Sequence, residues 1–206
     1  MSPLPRLLAF TTDAICRAPD FAARAAALAG LGAALGIVVR MPEATAAEHA
    51  SVAERLAAVT RTRGARFLIH ARPDLARALD ADGVQLRRND LSPGDSRSFY
   101  PGWVGASVHS LEEAGAALGE GADFLVAGNV FATTSHPGRP ARGLGWLTEI
   151  CALGKPVYAI GGVSPARAAD LAGAGAWGGA AISALWEARD PTLPAREILA
   201  AWSKRT

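Results

Sequence analysis

The sequence predicts a (β/α)₈ barrel, because short apolar segments alternate eight times with alanine-rich helical segments along 206 residues. Strands that alternate with helices indicate an α/β protein with a parallel sheet. An open doubly wound sheet is the alternative, but the count of eight strands favours a closed barrel. In addition, no Gly-x-Gly-x-x-Gly motif follows the first strand. We therefore expect a single TIM-barrel domain over residues 1–206.

The strand candidates are short apolar runs bounded by turn-forming residues. The helical candidates carry recognisable ends: Ser110 stands three residues before Glu113, as in a capping box, and Ser164 stands before Pro165. The predicted strands are residues 7–12, 35–40, 66–71, 83–86, 104–109, 124–131, 156–161 and 179–183. The clearest predicted helices are residues 21–31, 44–63, 111–119, 165–172 and 191–204.

Composition and charge exclude several classes of protein. Half of the residues are hydrophobic and only 19% are charged, so the chain can bury a large core. The net charge is +2 and the arginines are scattered, which argues against a nucleic-acid surface. No apolar run approaches the roughly 18 residues of a membrane span. Residues 1–6 contain two prolines and do not resemble a signal peptide, so we expect a cytoplasmic protein.

The two cysteines, Cys16 and Cys151, lack the spacing of a metal site. Isolated cysteines are more often buried apolar residues than disulfide partners or nucleophiles. They are consistent with a reducing compartment.

His109 is the first candidate for chemistry. Side chains alternate between the two faces of a strand, so Gly105, Ser107 and His109 share the face that we assign to the barrel interior and its mouth. The carboxyl ends of barrel strands are where catalytic residues gather, and an imidazole there can transfer a proton near neutral pH. The alternative is a histidine that only satisfies a helix cap or a neighbouring group.

Charged residues follow the second, third and fourth strands. Arg40 and Arg72 are candidates to bind a carboxylate or a phosphate at the rim, unless they pair locally with Glu43 and Asp74. Asp90 follows the fourth strand and is a possible metal ligand. From spacing alone, however, capping of the next helix is the simpler interpretation of this aspartate.

Two further regions are candidates for anion binding. The polar loop at residues 128–138 contains Thr133 and Thr134, whose hydroxyls favour a phosphate or carboxylate ligand. After the seventh and eighth strands, Gly161-Gly162 and Ile182-Ser183 stand where barrels commonly hold a phosphate on backbone N–H groups.

Several motifs, collinear from about residue 7 to 186, resemble those of the thiamine phosphate synthase and TenI (thiazole tautomerase) superfamily. They are Thr-Thr-Asp at 11–13, His-Ala-Arg-Pro-Asp-Leu-Ala at 70–76, Asp-Gly-Val-Gln-Leu at 82–86, Asp-Leu-Ser-Pro at 90–93, Gly-Ala-Ser-Val-His-Ser-Leu-Glu-Glu-Ala at 105–114, Gly-Ala-Asp-Phe at 121–124, Ala-Ile-Gly-Gly-Val at 159–163 and Ala-Ile-Ser-Ala at 181–184.

Departures from the synthase pattern favour the TenI-like branch. The resemblance implies that synthases use magnesium to neutralise a departing pyrophosphate, with a metal-binding aspartate where this chain has Ala71 and an asparagine where it has His70. Asp90 matches the second metal aspartate, but no lysine follows Arg40. Gln85, in contrast, matches the glutamine of TenI-like members.

These comparisons of motifs lead to a first hypothesis, a TenI-like tautomerase that needs no cofactor and acts on a phosphorylated thiazole carboxylate. His109 would transfer the proton. The alternatives are a synthase with an altered Mg²⁺ site at Asp90, and a non-catalytic binder of thiazole phosphate or thiamine phosphate; a homo-oligomer is possible in each case. The expected substrate-binding residues are Arg40, His70, Gln85, Thr133 and Thr134, and the expected phosphate-binding residues are Gly161, Gly162, Ile182 and Ser183.

Overall fold

The computed structural model, which describes residues 3–133 and 140–203, contains a closed barrel of eight parallel strands. Each strand pairs with the next, and β1 closes the ring by pairing with β8, Leu7 opposite Gly179. The predicted fold class is therefore confirmed. The strands are β1 (Leu7–Phe10), β2 (Leu35–Val39), β3 (Arg66–His70), β4 (Gly83–Leu86), β5 (Trp103–Val108), β6 (Phe124–Gly128), β7 (Val157–Ile160) and β8 (Gly178–Ala181).

The helices surround the barrel, and most of the predicted ones are present within a few residues of the expected bounds. The additional helices are mostly four to six residues long, too short to show a helical periodicity in the sequence. Their bounds are α1 (Asp13–Arg17), α2 (Phe21–Ala29), α3 (Ala46–Arg63), α4 (Pro73–Ala78), α5 (Pro93–Arg97), α6 (Leu111–Gly119), α7 (Gly143–Cys151), α8 (Pro165–Gly173), α9 (Ser183–Trp186) and α10 (Thr192–Ser203), with a 3₁₀ turn at Gly32–Ala34.

The core has two layers, one inside the barrel and one between the barrel and the helices. Alternate residues of β5 separate as predicted: Val104 and Val108 join the outer layer, whereas Gly105 faces inward. A Cβ at Gly105 would overlap the ring of Phe124, so only glycine fits there. The inner layer consists of Leu8, Phe10, Val38, Leu68, Trp103, Phe124, Val126, Tyr158 and Ala180.

The amino-terminal end of the barrel is closed by packing and hydrogen bonds. The Tyr158 hydroxyl donates to the Pro5 carbonyl oxygen at 2.6 Å, and the Trp177 indole N–H donates to the same oxygen at 3.0 Å. The inner layer fills the space above them, which leaves the open end of the barrel at the carboxyl ends of the strands.

Both cysteines are free, as expected; Cys16 is buried and Cys151 is half-buried. Across residues 3–133 and 140–203, no helix has the length and apolar character needed to cross a membrane.

Candidate active site

A cavity of about 790 Å³ opens at the carboxyl ends of the strands and collects almost all of the predicted site residues. Thr134 lies outside the described residues. Asp90 does not line the cavity itself, but it is paired with Arg87, which does. The predicted residues that line it are Arg40, His70, Gln85, His109, Thr133, Gly161, Gly162, Ile182 and Ser183.

Three arginines, Arg40, Arg87 and Arg88, line one part of the cavity, which we call the arginine side. Arg40 follows β2, and its backbone is fixed by Thr11, whose hydroxyl accepts from the Arg40 N–H at 2.9 Å. Burial lowers the pKa of Arg40 and the charge of Arg87 lowers it further, whereas the nearby carboxylates of Asp13 and Glu43 oppose this shift. The alternative partner Glu43 is not bonded to Arg40 in the described residues.

Arg72 is not part of this cluster. Its guanidinium makes two hydrogen bonds to Asp74, at 2.8 and 2.6 Å, on the exposed surface. The local-pairing interpretation of Arg72 is therefore the correct one.

Arg87, which sequence reasoning missed, is held by Asp90. Its Nη2 and Nε donate to Oδ1 of Asp90 at 2.8 and 3.1 Å, and its backbone N–H donates to Oδ2 at 2.7 Å. The Asp90 side chain is 8% exposed, whereas that of Arg87 is 54% exposed. Its position in the sequence could have identified it, since Arg87 is the first residue after β4 and so lies at the rim of the barrel.

Asp90 does not cap the following helix, so the capping interpretation is wrong. Ser92 is the N-cap of α5, and its hydroxyl accepts from the Asp95 N–H at 3.1 Å. Asp90 is instead fully engaged by the backbone and side chain of Arg87.

His70 ends β3 and is buried at the cavity wall. Burial lowers its pKa to about 3, assisted by the charges of Arg40 and Arg87. His70 is therefore uncharged at neutral pH and offers the cavity a neutral imidazole.

Ala71, directly after β3, has a left-handed backbone with φ of 63°. Its N–H donates to the Gln85 carbonyl oxygen at 2.9 Å, which holds this unusual conformation in place. The Gln85 side chain donates to the Ser107 hydroxyl at 2.6 Å and so forms a polar part of the cavity wall.

His109 lines the cavity and is linked to helix α6. Its backbone N–H donates to Oε2 of Glu113 at 2.7 Å, and its Nδ1 lies 3.3 Å from the same oxygen. Oε1 of Glu113 accepts from Arg88 at 2.9 Å. Both interpretations of His109 therefore hold in part, because it lines the cavity and also contacts the Glu113 carboxylate. A catalytic role for it stays a prediction.

Gly161 and Gly162 form, with Ile182 and Ser183, the glycine side of the cavity. Both glycines have left-handed φ, 94° and 66°. A Cβ at Gly161 would lie 2.6 Å from the Cβ of Asn129, so glycine is required. Helix α9 begins at Ser183, and the first N–H groups of a helix have no partner within the helix.

The arginine side and the glycine side follow different strands, and Arg87 stands across the barrel from the strand end of β8. Arg40 and Arg87 follow β2 and β4, whereas the glycine side follows β7 and β8. In a ring of eight strands, β4 stands directly opposite β8. One cavity therefore combines arginine side chains at one part of its rim with a glycine-rich backbone at another.

The residues present do not fit the magnesium ion that the synthase branch implies. Magnesium is usually held by one or two carboxylates together with substrate phosphates. Among the described residues no carboxylate lines the cavity, and no group of three or more His, Cys, Asp or Glu is arranged to hold a metal. Asp90 already binds Arg87 with both oxygens, and Ala71 has no ligand atom in its side chain.

Comparison with known proteins finds relatives that carry synthase names. A thiamine-phosphate synthase of Thermus thermophilus is 43% identical over 72% of this chain and 73% of its own length. A thiamine-phosphate synthase of Methanoculleus marisnigri is 40% identical over 84% of each chain. The solved structure of a thiamine phosphate pyrophosphorylase from Pyrococcus furiosus superposes with a TM-score of 0.83 and is 34% identical, covering 97% of this chain and 96% of that one.

These names overturn the tautomerase hypothesis, since the relatives are synthases and none of those described here is a TenI-type protein. The motif-based choice failed because it gave a few positions, His70, Ala71, Gln85 and the absent lysine after Arg40, more weight than the pattern that the chain otherwise shares. A model of the family described as thiamine monophosphate synthase matches residues 7–185, nearly the whole barrel. The chain therefore belongs to the thiamine monophosphate synthase family.

Proposed function

We propose that this protein is a thiamine-phosphate synthase, a transferase of thiamine biosynthesis. The observation that carries the proposal is the presence of an arginine side and a glycine side in one cavity, each suited to an anion. A reaction between a pyrophosphate ester and a phosphate ester needs two such places. The names of relatives at 40–43% identity support the same activity.

In the proposed reaction, the ring nitrogen of thiazole phosphate forms a bond to the methylene carbon of hydroxymethylpyrimidine pyrophosphate. The carbon–oxygen bond to pyrophosphate breaks, and pyrophosphate leaves with the electron pair. We assign the pyrophosphate to the arginine side, where guanidinium groups stabilise the charge that develops on the leaving oxygen. The thiazole phosphate is assigned to the glycine side, on backbone N–H groups.

The cavity wall also carries polar groups that have no charge at neutral pH, among apolar side chains such as Phe10 and Val126. It includes neutral His70 and the Gln85–Ser107 pair, which offer hydrogen bonds to the heterocycles without adding charge. Thr133 also lines the cavity. We propose Arg40, His70, Gln85, Thr133 and Thr134 as substrate-binding residues, and we assign no proton transfer to His109.

The direct test is to incubate the purified protein with both phosphorylated rings, with and without MgCl₂, and to quantify thiamine phosphate and pyrophosphate. We expect the two products in equal amounts. If neither product forms under any magnesium concentration although thiazole phosphate binds, the protein is a binder and the synthase proposal fails.

The phosphate assignment is tested by Gly161→Ala. A Cβ there would press against Asn129, and the backbone has a φ that alanine rarely adopts, so the loop must move. We expect the KM for thiazole phosphate to rise about tenfold or more, as for the loss of a charge-assisted hydrogen bond. Gly154→Ala is the matched control, because Gly154 has a similar φ of 79° and follows α7, outside the glycine side.

A further inference from the structure

We propose that Arg87 takes the place of a magnesium ion in this protein, so that pyrophosphate is bound and neutralised by guanidinium groups alone. This inference rests on the proposed function for its substrate. The observation behind it is the pairing of Asp90 with Arg87. Asp90 is the carboxylate that would bind a metal, but it is bound to Arg87, which lines the cavity.

The first observation is the engagement of Asp90. The carboxylate accepts from Nη2 of the Arg87 guanidinium, from Nε, which is shared between both oxygens, and from the Arg87 backbone N–H. A hard cation would have to displace these bonds and then find its remaining oxygen ligands elsewhere. Ala71, at the neighbouring strand end, supplies only a methyl group.

The second observation is the distribution of charge along the arginine side. Arg87 and Arg88 each pair with a carboxylate, Asp90 and Glu113, whereas no carboxylate of the described residues is hydrogen-bonded to the Arg40 guanidinium. Arg40, Arg87 and Arg88 all line the cavity, and no carboxylate among the described residues lines it with them. Burial is the main cause of the lowered pKa of His70, and the charges of Arg40 and Arg87 lower it further, so these charges disfavour an added cation beside them. A divalent ion at the same place would be repelled, whereas a polyanion would be attracted.

The third observation is the geometry of Arg87. A guanidinium carries five N–H donors in a planar fork. Asp90 uses the Nε donor and one donor of Nη2, which leaves three for an anion. Asp90 therefore acts as a positioning residue that aims Arg87 into the cavity, and Arg87 supplies the charge.

The experiment is calorimetric titration of the protein with inorganic pyrophosphate, once in EDTA and once in excess MgCl₂. We expect binding in EDTA, and no tightening when magnesium is added. Arg87→Gln should weaken binding about tenfold or more in EDTA. Arg72→Gln is the matched control, because Arg72 makes the same two-bond pair with Asp74 on the surface, and it should leave the affinity unchanged.

Asp90→Asn separates the two possible roles of the carboxylate. If Asp90 positions Arg87, the variant weakens pyrophosphate binding in EDTA as well as in magnesium. If Asp90 is a metal ligand, only the binding in magnesium changes, and the proposal is overturned. It is also overturned if the unmodified protein binds pyrophosphate at least tenfold more tightly with magnesium than in EDTA.

Because this titration uses pyrophosphate alone, its result does not depend on turnover. Failure to form thiamine phosphate would remove the proposed function and leave the binding result standing. Circular dichroism of each variant identifies one that has not folded, and Arg87→Lys, which keeps the charge but lacks the fork, then provides the second measurement: it should also bind pyrophosphate more weakly in EDTA.

Discussion

His70 links the charge of the active site to the stability of the protein. Its pKa falls from 6.5 to about 3 on burial among arginines, so the unfolded chain binds a proton more readily than the folded one. The folded state is therefore favoured above pH 6.5 and loses this contribution as the pH falls toward 3.

We expect the free energy of unfolding to drop by about 2 kcal/mol more between pH 7 and pH 5 than in a His70→Asn variant. The asparagine does not titrate, so the variant lacks the link between His70 protonation and the free energy of unfolding, even if its stability at pH 7 differs. Urea unfolding at the two pH values measures the difference. Equal drops in the two proteins would mean that His70 is not held neutral by its surroundings.

At the scale of single residues, much of the cavity wall could be predicted from the sequence, but the pairing of charged side chains could not. Arg40, Gln85 and the Gly161-Gly162 pair could be placed because strand ends meet at one rim. The Arg87–Asp90 pair was missed, because a hydrogen bond from a backbone N–H to a carboxylate three residues on depends on a turn that no periodicity encodes. Likewise, the sequence alone left open whether Arg72 faces the cavity or pairs with Asp74, and the structure shows the pair.

At the scale of elements, two helix starts present a matched pair. Ser110 and Ser164 are both N-caps with extended backbones, at φ of −148° and −152°. The Ser110 hydroxyl accepts from the Glu113 N–H at 3.1 Å, whereas the Ser164 side chain makes no capping bond. Both N-caps were predicted correctly from the sequence, but the sequence does not indicate which of the two hydroxyls accepts a hydrogen bond from the helix backbone.

We expect Ser110→Ala to lower the free energy of unfolding by about 1 kcal/mol, the usual cost of a lost cap. Ser164→Ala should cost clearly less, because Pro165 already fixes the first helical residue and no side-chain bond is lost. Urea denaturation of the two variants tests this difference. Equal losses would contradict the assignment of the Ser110 bond as the stabilising contact.

At the scale of the whole molecule, the barrel depends on the seam between its first and last strands. The Gly179 N–H donates to the Arg6 carbonyl oxygen at 3.0 Å, and a Cβ at Gly178 would overlap that oxygen. The sequence predicted eight strands, and hence closure, but the need for glycine at this seam appears only when the chain ends are brought together.

We expect Gly178→Ala to destabilise the protein by about 2 kcal/mol or more, because the added methyl group meets backbone rather than a movable side chain. Gly115→Ala in α6 is the control, since no described atom beyond its chain neighbours and its own helix backbone lies within 4 Å of the added Cβ. It should stabilise the helix by about 0.5–1 kcal/mol. Urea unfolding followed by circular dichroism and tryptophan fluorescence measures both. An unchanged midpoint for Gly178→Ala would show that the seam can widen freely.

The same closed ring also bears on aggregation. A strand at the edge of an open sheet exposes unpaired N–H and C=O groups to which another chain can add a strand. Here β1 pairs with both β2 and β8, so none of the eight barrel strands is an edge. The closed ring therefore offers no edge to which another chain could add a strand. Amyloid-like contacts of these strands require the ring to open first.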